Sequence, residues 1–156
     1  MEIDTDLVLT DGALEAEISR LLLDCADWIR EGETVVAYTK RKLLQVEGDT
    51  EEAALARSAR ISAAVQSLVG RLAAPPAFVV AKGGITSSDV GTKALGVKRA
   101  RVLGQICPGI PVWDTGKESR FPGIPYVIFP GNVGEKETLK EAVEKLLAGS
   151  AGRGEA

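Results

Sequence analysis

Ala77-Phe78-Val79-Val80-Ala81-Lys82-Gly83-Gly84-Ile85-Thr86-Ser87-Ser88-Asp89 decides the fold. Its first five residues are a short apolar run of the kind that fills a strand covered on both faces. Two glycines follow, then three hydroxyl residues, and a short helix is predicted over 88–95 with Gly96 as its stop. A strand that passes through a glycine turn into a helix is one βα unit, and such units build a sheet between layers of helices.

Working toward the N-terminus, Pro75-Pro76 close a helix that begins at Thr50-Glu51-Glu52 with Asp49 as its cap. Leu55, Ile61, Val65, Leu68, Val69 and Leu72 form its apolar stripe. Residues 34–39 read as a short buried strand. Before them, Leu14, Ile18, Leu21, Leu22, Cys25 and Ile29 share one face of a helix capped by Thr10 or Asp11 and ended by Gly32. Residues 2–9 alternate weakly as a first strand. Toward the C-terminus, strands are predicted over 101–106 and 126–129, with a short one near 112–114 and a last helix over 135–147. The expected architecture is a three-layer α/β fold: a mostly parallel or mixed sheet, helices on both faces, one domain over 1–148 and a flexible tail over 149–156.

The 156 residues, 45% hydrophobic and 26% charged, suit one soluble globular domain. Histidine is absent, which excludes Ser-His-Asp and Cys-His catalysis, His-ligated zinc and imidazole acid–base chemistry within this chain. Aromatic residues make up 4%, too few for base-stacking platforms, and the net charge of −3 is not that of a polyanion-binding surface. No nucleic-acid partner is expected. Cys25 and Cys107 make neither a disulfide framework nor a thiolate metal site. Cys25 lies on an apolar stripe, and Cys107, with no histidine or evident cation beside it, reads as structural. The acidic start Met1-Glu2-Ile3-Asp4-Thr5-Asp6 lacks the basic region of a signal peptide, and no apolar run nears the ~18 residues of a membrane helix. A cytoplasmic protein is expected.

Ligands of such sheets bind where strands end and helices begin. In the loop 82–89, Gly83 and Gly84 let an anion approach the backbone, and the N–H groups of the next helical turn favour negative charge. Thr86, Ser87 and Ser88 add hydroxyls. A tight turn with an ordinary Ser/Thr cap accounts for the same residues equally well. The loop Pro130-Gly131-Asn132-Val133-Gly134 repeats the logic ahead of the last helix, and a plain turn explains it too. Lys82, Lys93, Lys98, Arg99, Arg101, Lys117 and Arg120 make the 82–134 segment basic, as a polyphosphate would select. Lys40-Arg41-Lys42 reads as a solvated turn. The nearest P-loop candidate, Thr115-Gly116-Lys117-Glu118, has a carboxylate where the hydroxyl belongs, and no G-x-G-x-x-G occurs.

In order, Val36-Ala37-Tyr38-Thr39, the run from Lys82 to Val90, Ala94-Leu95-Gly96-Val97, Pro108-Gly109-Ile110-Pro111 and Pro130-Gly131-Asn132-Val133-Gly134 resemble the four-carbon acid sugar kinase family over residues 2–147. The resemblance implies a two-domain enzyme that uses ATP to phosphorylate threonate, erythronate or their 3-oxo forms. The N-terminal domain would hold the sugar acid and the C-terminal domain the nucleotide; this chain is similar to the latter alone. By the same resemblance Gly83, Gly84, Ile85 and Thr86 match a Gly-Gly-x-Thr nucleotide loop continued by Ser87, and Gly131 and Asn132 match a late Gly-Asn-x-Gly loop. ATP is the implied cofactor, with Mg²⁺ carried on it; no catalytic or metal-ligating residue is assigned. The chain departs from the family at Ile85, where many members have an acid, and at Phe129-Pro130, where many have Lys-Ser. Lys40 stands for a serine, and the family's opening Gly-Ser-x-Ser motif has no counterpart. The isolated chain is therefore expected to be inactive as a kinase. Its expected partner is a sugar-acid domain from the same gene or a separate chain, and a homodimer is compatible with the reading. The rival reading is a non-catalytic α/β interaction or regulatory module whose glycine loops are turns.

Overall fold

In the computed structural model, which describes residues 1–151, the chain forms two compact units, Met1–Pro75 and the part from Pro76 onward. Each follows from its own sequence pattern.

In the first unit, β1 (Glu2–Ile3) pairs in parallel with β2 (Tyr38–Thr39). The expected strand over 2–9 stops at Ile3 because Asp4 accepts the N–H of Asp6 and starts a 3-10 turn over Thr5–Leu9. With so short a partner, residues 34–37 form no strand, although the Val36 carbonyl accepts the Met1 ammonium at 2.6 Å, and Val36 and Ala37 are exposed instead of buried. Helix α1 (Ala13–Arg30) buries the anticipated stripe of Leu14, Ile18, Leu21, Leu22 and Cys25. Its N-terminal cap is Gly12, not Thr10 or Asp11. Helix α2 (Glu51–Gly70) is capped by Thr50, whose hydroxyl accepts the N–H of Ala53 at 3.2 Å, while Asp49 pairs with Arg57. Only its C-terminal half is anchored, through Ala64 and Leu68; Leu55, placed by periodicity on the stripe, is 72% exposed. Lys40 is not a free cation: Asp4 and Asp6 bind its ammonium, which raises its pKa and holds the Asp4 carboxyl below the usual range.

The second unit is a four-stranded sheet of order β3-β6-β5-β4, from β3 (Val79–Lys82), β4 (Ala100–Cys107), β5 (Ile110–Thr115) and β6 (Pro125–Phe129). β3 and β6 are parallel, while β5 runs antiparallel to both β6 and β4. The sheet is thus mixed, with one parallel pair. Side chains alternate along β6. Val127 and Phe129 pack with Ile110, Val112, Ala142 and Leu146 under α4 (Thr138–Ala151). Tyr126, fully buried, takes the opposite face, edge-on to Trp113 at 6.3 Å and against α3 (Gly84–Asp89). A helix therefore covers each face of this sheet, and the α/β class is as expected.

Helix α3 starts four residues before its predicted position. Gly83 turns at φ +107°, and its carbonyl accepts the N–H of Ser87 at 2.8 Å, closing the first turn around the glycine pair. A π-helical turn over Val90–Ala94 extends it; there a Cβ on Gly91 would lie 3.0 Å from the Tyr126 ring. Helix α4 starts at Thr138, because the hydroxyl of Thr138 takes the N–H of Glu135 and the residues between form a closed turn. It continues through Ala151; the remainder of the expected flexible tail lies outside the described residues.

Candidate functional site

The parallel register sets Lys82 beside Phe129, so the chain leaves β3 and β6 at the same edge of the sheet. The two glycine loops consequently meet. Gly83 donates its N–H to the Phe129 carbonyl at 2.8 Å, and a Cβ built on Gly131 would lie 3.7 Å from the Gly83 Cα. The β4–β5 turn borders them, since a Cβ on Gly109 would stand 3.3 Å from Val133. Three short stretches far apart in sequence share one end of the sheet, at the carboxyl edge of its parallel pair.

Within this edge the predicted residues divide into two groups. Gly84 and Ile85 are exposed and Thr86 half-buried; all three belong to the first turn of α3, where N–H groups find no acceptor inside the helix. Gly131 and Asn132 are exposed beside them. Ser87 behaves differently. It is 3% exposed, its hydroxyl donates to the Ala81 carbonyl at 2.7 Å, and its own carbonyl accepts the Tyr126 hydroxyl. Ser87 thus fixes the loop from beneath. Asn132 is not followed directly by a helix N-terminus, because α4 begins six residues later.

The Tyr126 hydroxyl is the buried support of this arrangement, and burial raises its pKa. Tyr126→Phe keeps the ring and removes one buried hydrogen bond, so it is expected to cost about 1–2 kcal/mol in urea unfolding. A variant as stable as the parent would show that the hydroxyl does not hold α3.

Charge is distributed otherwise than the sequence implied. β5 ends where β6 begins, with Thr115 bonded to Ile124, so the residues around Thr115 lie roughly 15 Å along the sheet from the glycine loops. Lys98, Arg99, Arg101, Lys117 and Arg120 gather at that far end. There Glu118 accepts the N–H groups of Lys98 and Arg99; together with its own backbone N–H they hold its carboxyl below the usual range. Lys93 pairs with Asp89 at 2.8 Å. Of the seven basic residues between 82 and 134, only Lys82 stands at the loops. The basic segment therefore does not converge on the candidate site, because strand direction divides it.

Cys25 is buried as anticipated. Cys107 does have a cation beside it: the ammonium of Lys145 lies 3.7 Å from its sulfur and also donates to Glu141 and to the Ile106 carbonyl. Sequence reasoning missed that neighbour because α4 supplies it from 38 residues away. A cavity of about 390 Å³ beside β4 and α4, lined by Leu103, Ile106, Val112 and Leu146 among others, includes none of the glycine-loop residues. Among the described residues no helix is long and apolar enough to cross a membrane.

A family model described as the nucleotide-binding C-terminal domain matches residues 1–139. Among solved structures, a Bordetella bronchiseptica protein is 21% identical with a TM-score of 0.62, over 94% of this chain and 34% of its own. It is described as a domain of unknown function, a domain-swapped dimer with bound citrate. Proteins from Salmonella typhimurium (18% identical, TM-score 0.64, 93% of this chain and 34% of that one) and Haemophilus influenzae (18%, 0.58, 94% and 34%) share the fold. The chain spans about a third of the length of these proteins. Among curated proteins none matches.

Proposed function

Because the chain belongs to the nucleotide-binding C-terminal domain family, we propose that it is the ATP-binding domain of a kinase for four-carbon sugar acids of the threonate, erythronate or 3-oxo-tetronate type. The observation that carries this reading is the meeting of the two glycine loops at the carboxyl edge of the parallel pair. The order of the motifs along the sequence supports the kinase assignment.

In this reading the backbone N–H groups of Gly84, Ile85 and Thr86 bind the phosphates, aided by the Thr86 hydroxyl. Gly131 and Asn132 close the opposite side, and the absence of a side chain on Gly131 leaves room between the loops. Ser87 acts from below by keeping the first turn of α3 in place. Bound ATP supplies the phosphoryl group, and Mg²⁺ on its phosphates offsets their charge. Mg²⁺ would be carried on the ATP phosphates, largely hydrated, and no protein ligand is assigned to it. The acceptor pocket and the base acting on the sugar hydroxyl belong to a sugar-acid domain, from the same gene or a separate chain. The domain-swapped dimer of the Bordetella protein supports a homodimer here.

Calorimetric titration with Mg-ATP and Mg-ADP tests the reading. Saturable binding at or below about 1 mM is expected, with no product when threonate is added to the isolated chain. Absence of heat and of any thermal shift at millimolar nucleotide would favour a non-catalytic interaction module. Turnover by this chain alone would overturn the assignment of acceptor pocket and base to another domain.

A further inference from the structure

Lys82 is the last residue of β3, directly across from Phe129, the last of β6. Its ammonium lies 3.9 Å over the Phe129 ring and donates to the Pro130 carbonyl at 3.3 Å. Both anchors belong to the neighbouring strand and its loop. They hold the charge at the junction where the Gly83 and Gly131 loops leave the sheet. An ammonium has three donors, and Pro130 occupies one of them. Among the described residues no carboxylate pairs with it, although Lys40, Lys93 and Lys145 each have one. Of the other basic residues of the 82–134 segment, Lys93 lies in the turn that follows α3 and is paired with Asp89, and the rest lie at the opposite end of the sheet.

We propose that Lys82 is a phosphate-positioning residue, whose ammonium, pinned between Phe129 and Pro130, contacts the polyphosphate of the bound nucleotide and selects for its charge. This rests on the nucleotide-binding reading above. The geometry favours such a role over a purely structural pin. The Phe129 ring face and the Pro130 carbonyl take up one side of the ammonium, and the exposed cation is left with two open donors suited to an anion.

The experiment compares parent, Lys82→Met and Lys82→Arg in calorimetric titrations with adenosine, AMP, ADP and ATP. Methionine keeps a flexible apolar stem over Phe129 and removes the charge. The expected result is a loss of about 10- to 100-fold in Lys82→Met for ATP and ADP, no more than about twofold for adenosine, and retention of most affinity in Lys82→Arg. The parent's ATP affinity should also weaken more steeply with salt than that of Lys82→Met. Equal ATP affinity in parent and Lys82→Met would overturn the proposal while leaving nucleotide binding intact. An equal loss for adenosine and ATP would overturn it too, reducing Lys82 to a structural pin. A parent that binds no nucleotide would remove the underlying reading and this proposal together.

Discussion

Gly84→Val is expected to abolish nucleotide binding in a protein that stays folded. Gly84 is the first residue of α3, its backbone lies outside the left-handed region, and a Cβ added there meets no atom within 4 Å. A helix accepts valine more readily than glycine, so the thermal midpoint should move by no more than about 2 °C. The added isopropyl group would instead occupy the space through which an anion reaches the N–H groups of Gly84 and Ile85. Losing two hydrogen bonds to a charged phosphate costs about 3–6 kcal/mol, or at least a hundredfold in affinity. Paired melting curves and titrations measure both quantities. Binding within threefold of the parent would remove the first turn of α3 from the site. Gly83→Ala makes a useful contrast, because at φ +107° any side chain is strained and stability should fall along with binding.

Gly116→Ala should destabilise the second unit with no direct effect on the glycine loops. A Cβ at this position would lie 2.4 Å from one Glu118 carboxylate oxygen and 2.5 Å from the Arg99 carbonyl. The carboxylate is not free to swing aside without loss, since it accepts the N–H groups of Lys98 and Arg99 at 3.0 and 2.8 Å. The carbonyl is backbone, so relief requires the 96–99 and 116–120 segments to separate. A drop of roughly 5–10 °C in the thermal midpoint is expected from such overpacking. In the double variant Gly116→Ala with Glu118→Ala only part of the drop should be recovered, because the Arg99 carbonyl remains. A single variant melting within 1 °C of the parent would show that these segments yield easily.

The same residues illustrate how far pattern reading reaches. Thr115-Gly116-Lys117-Glu118 fails as a P-loop on the grounds visible in sequence, but nothing in that stretch announces that Glu118 binds the backbone of residues 98 and 99. Val79, Val80 and Ala81 read as strand because an apolar run before a glycine pair has few alternatives, and they form one. Residues 5–9 alternate like a strand and form a 3-10 turn, because the Asp4 carboxylate offers a local acceptor that pairing two residues to β2 does not outweigh. Leu55 has the right period and still lies exposed, since helix periodicity identifies a face without saying how much of it is covered.

The chain's own sequence determined the α/β class, the two glycine loops as candidate site, and the exclusion of histidine chemistry. Each follows from residue identity or from local spacing, which short-range sterics and hydrogen bonding convert directly into turns, strands and helix starts. Tertiary structure alone decided that the loops after Lys82 and Phe129 meet, that Ser87 faces inward, and that Lys82 keeps its charge at the junction while five other cations gather at the far end. Those outcomes depend on strand order and direction. They are set by pairing between residues almost fifty positions apart, and no local pattern encodes them.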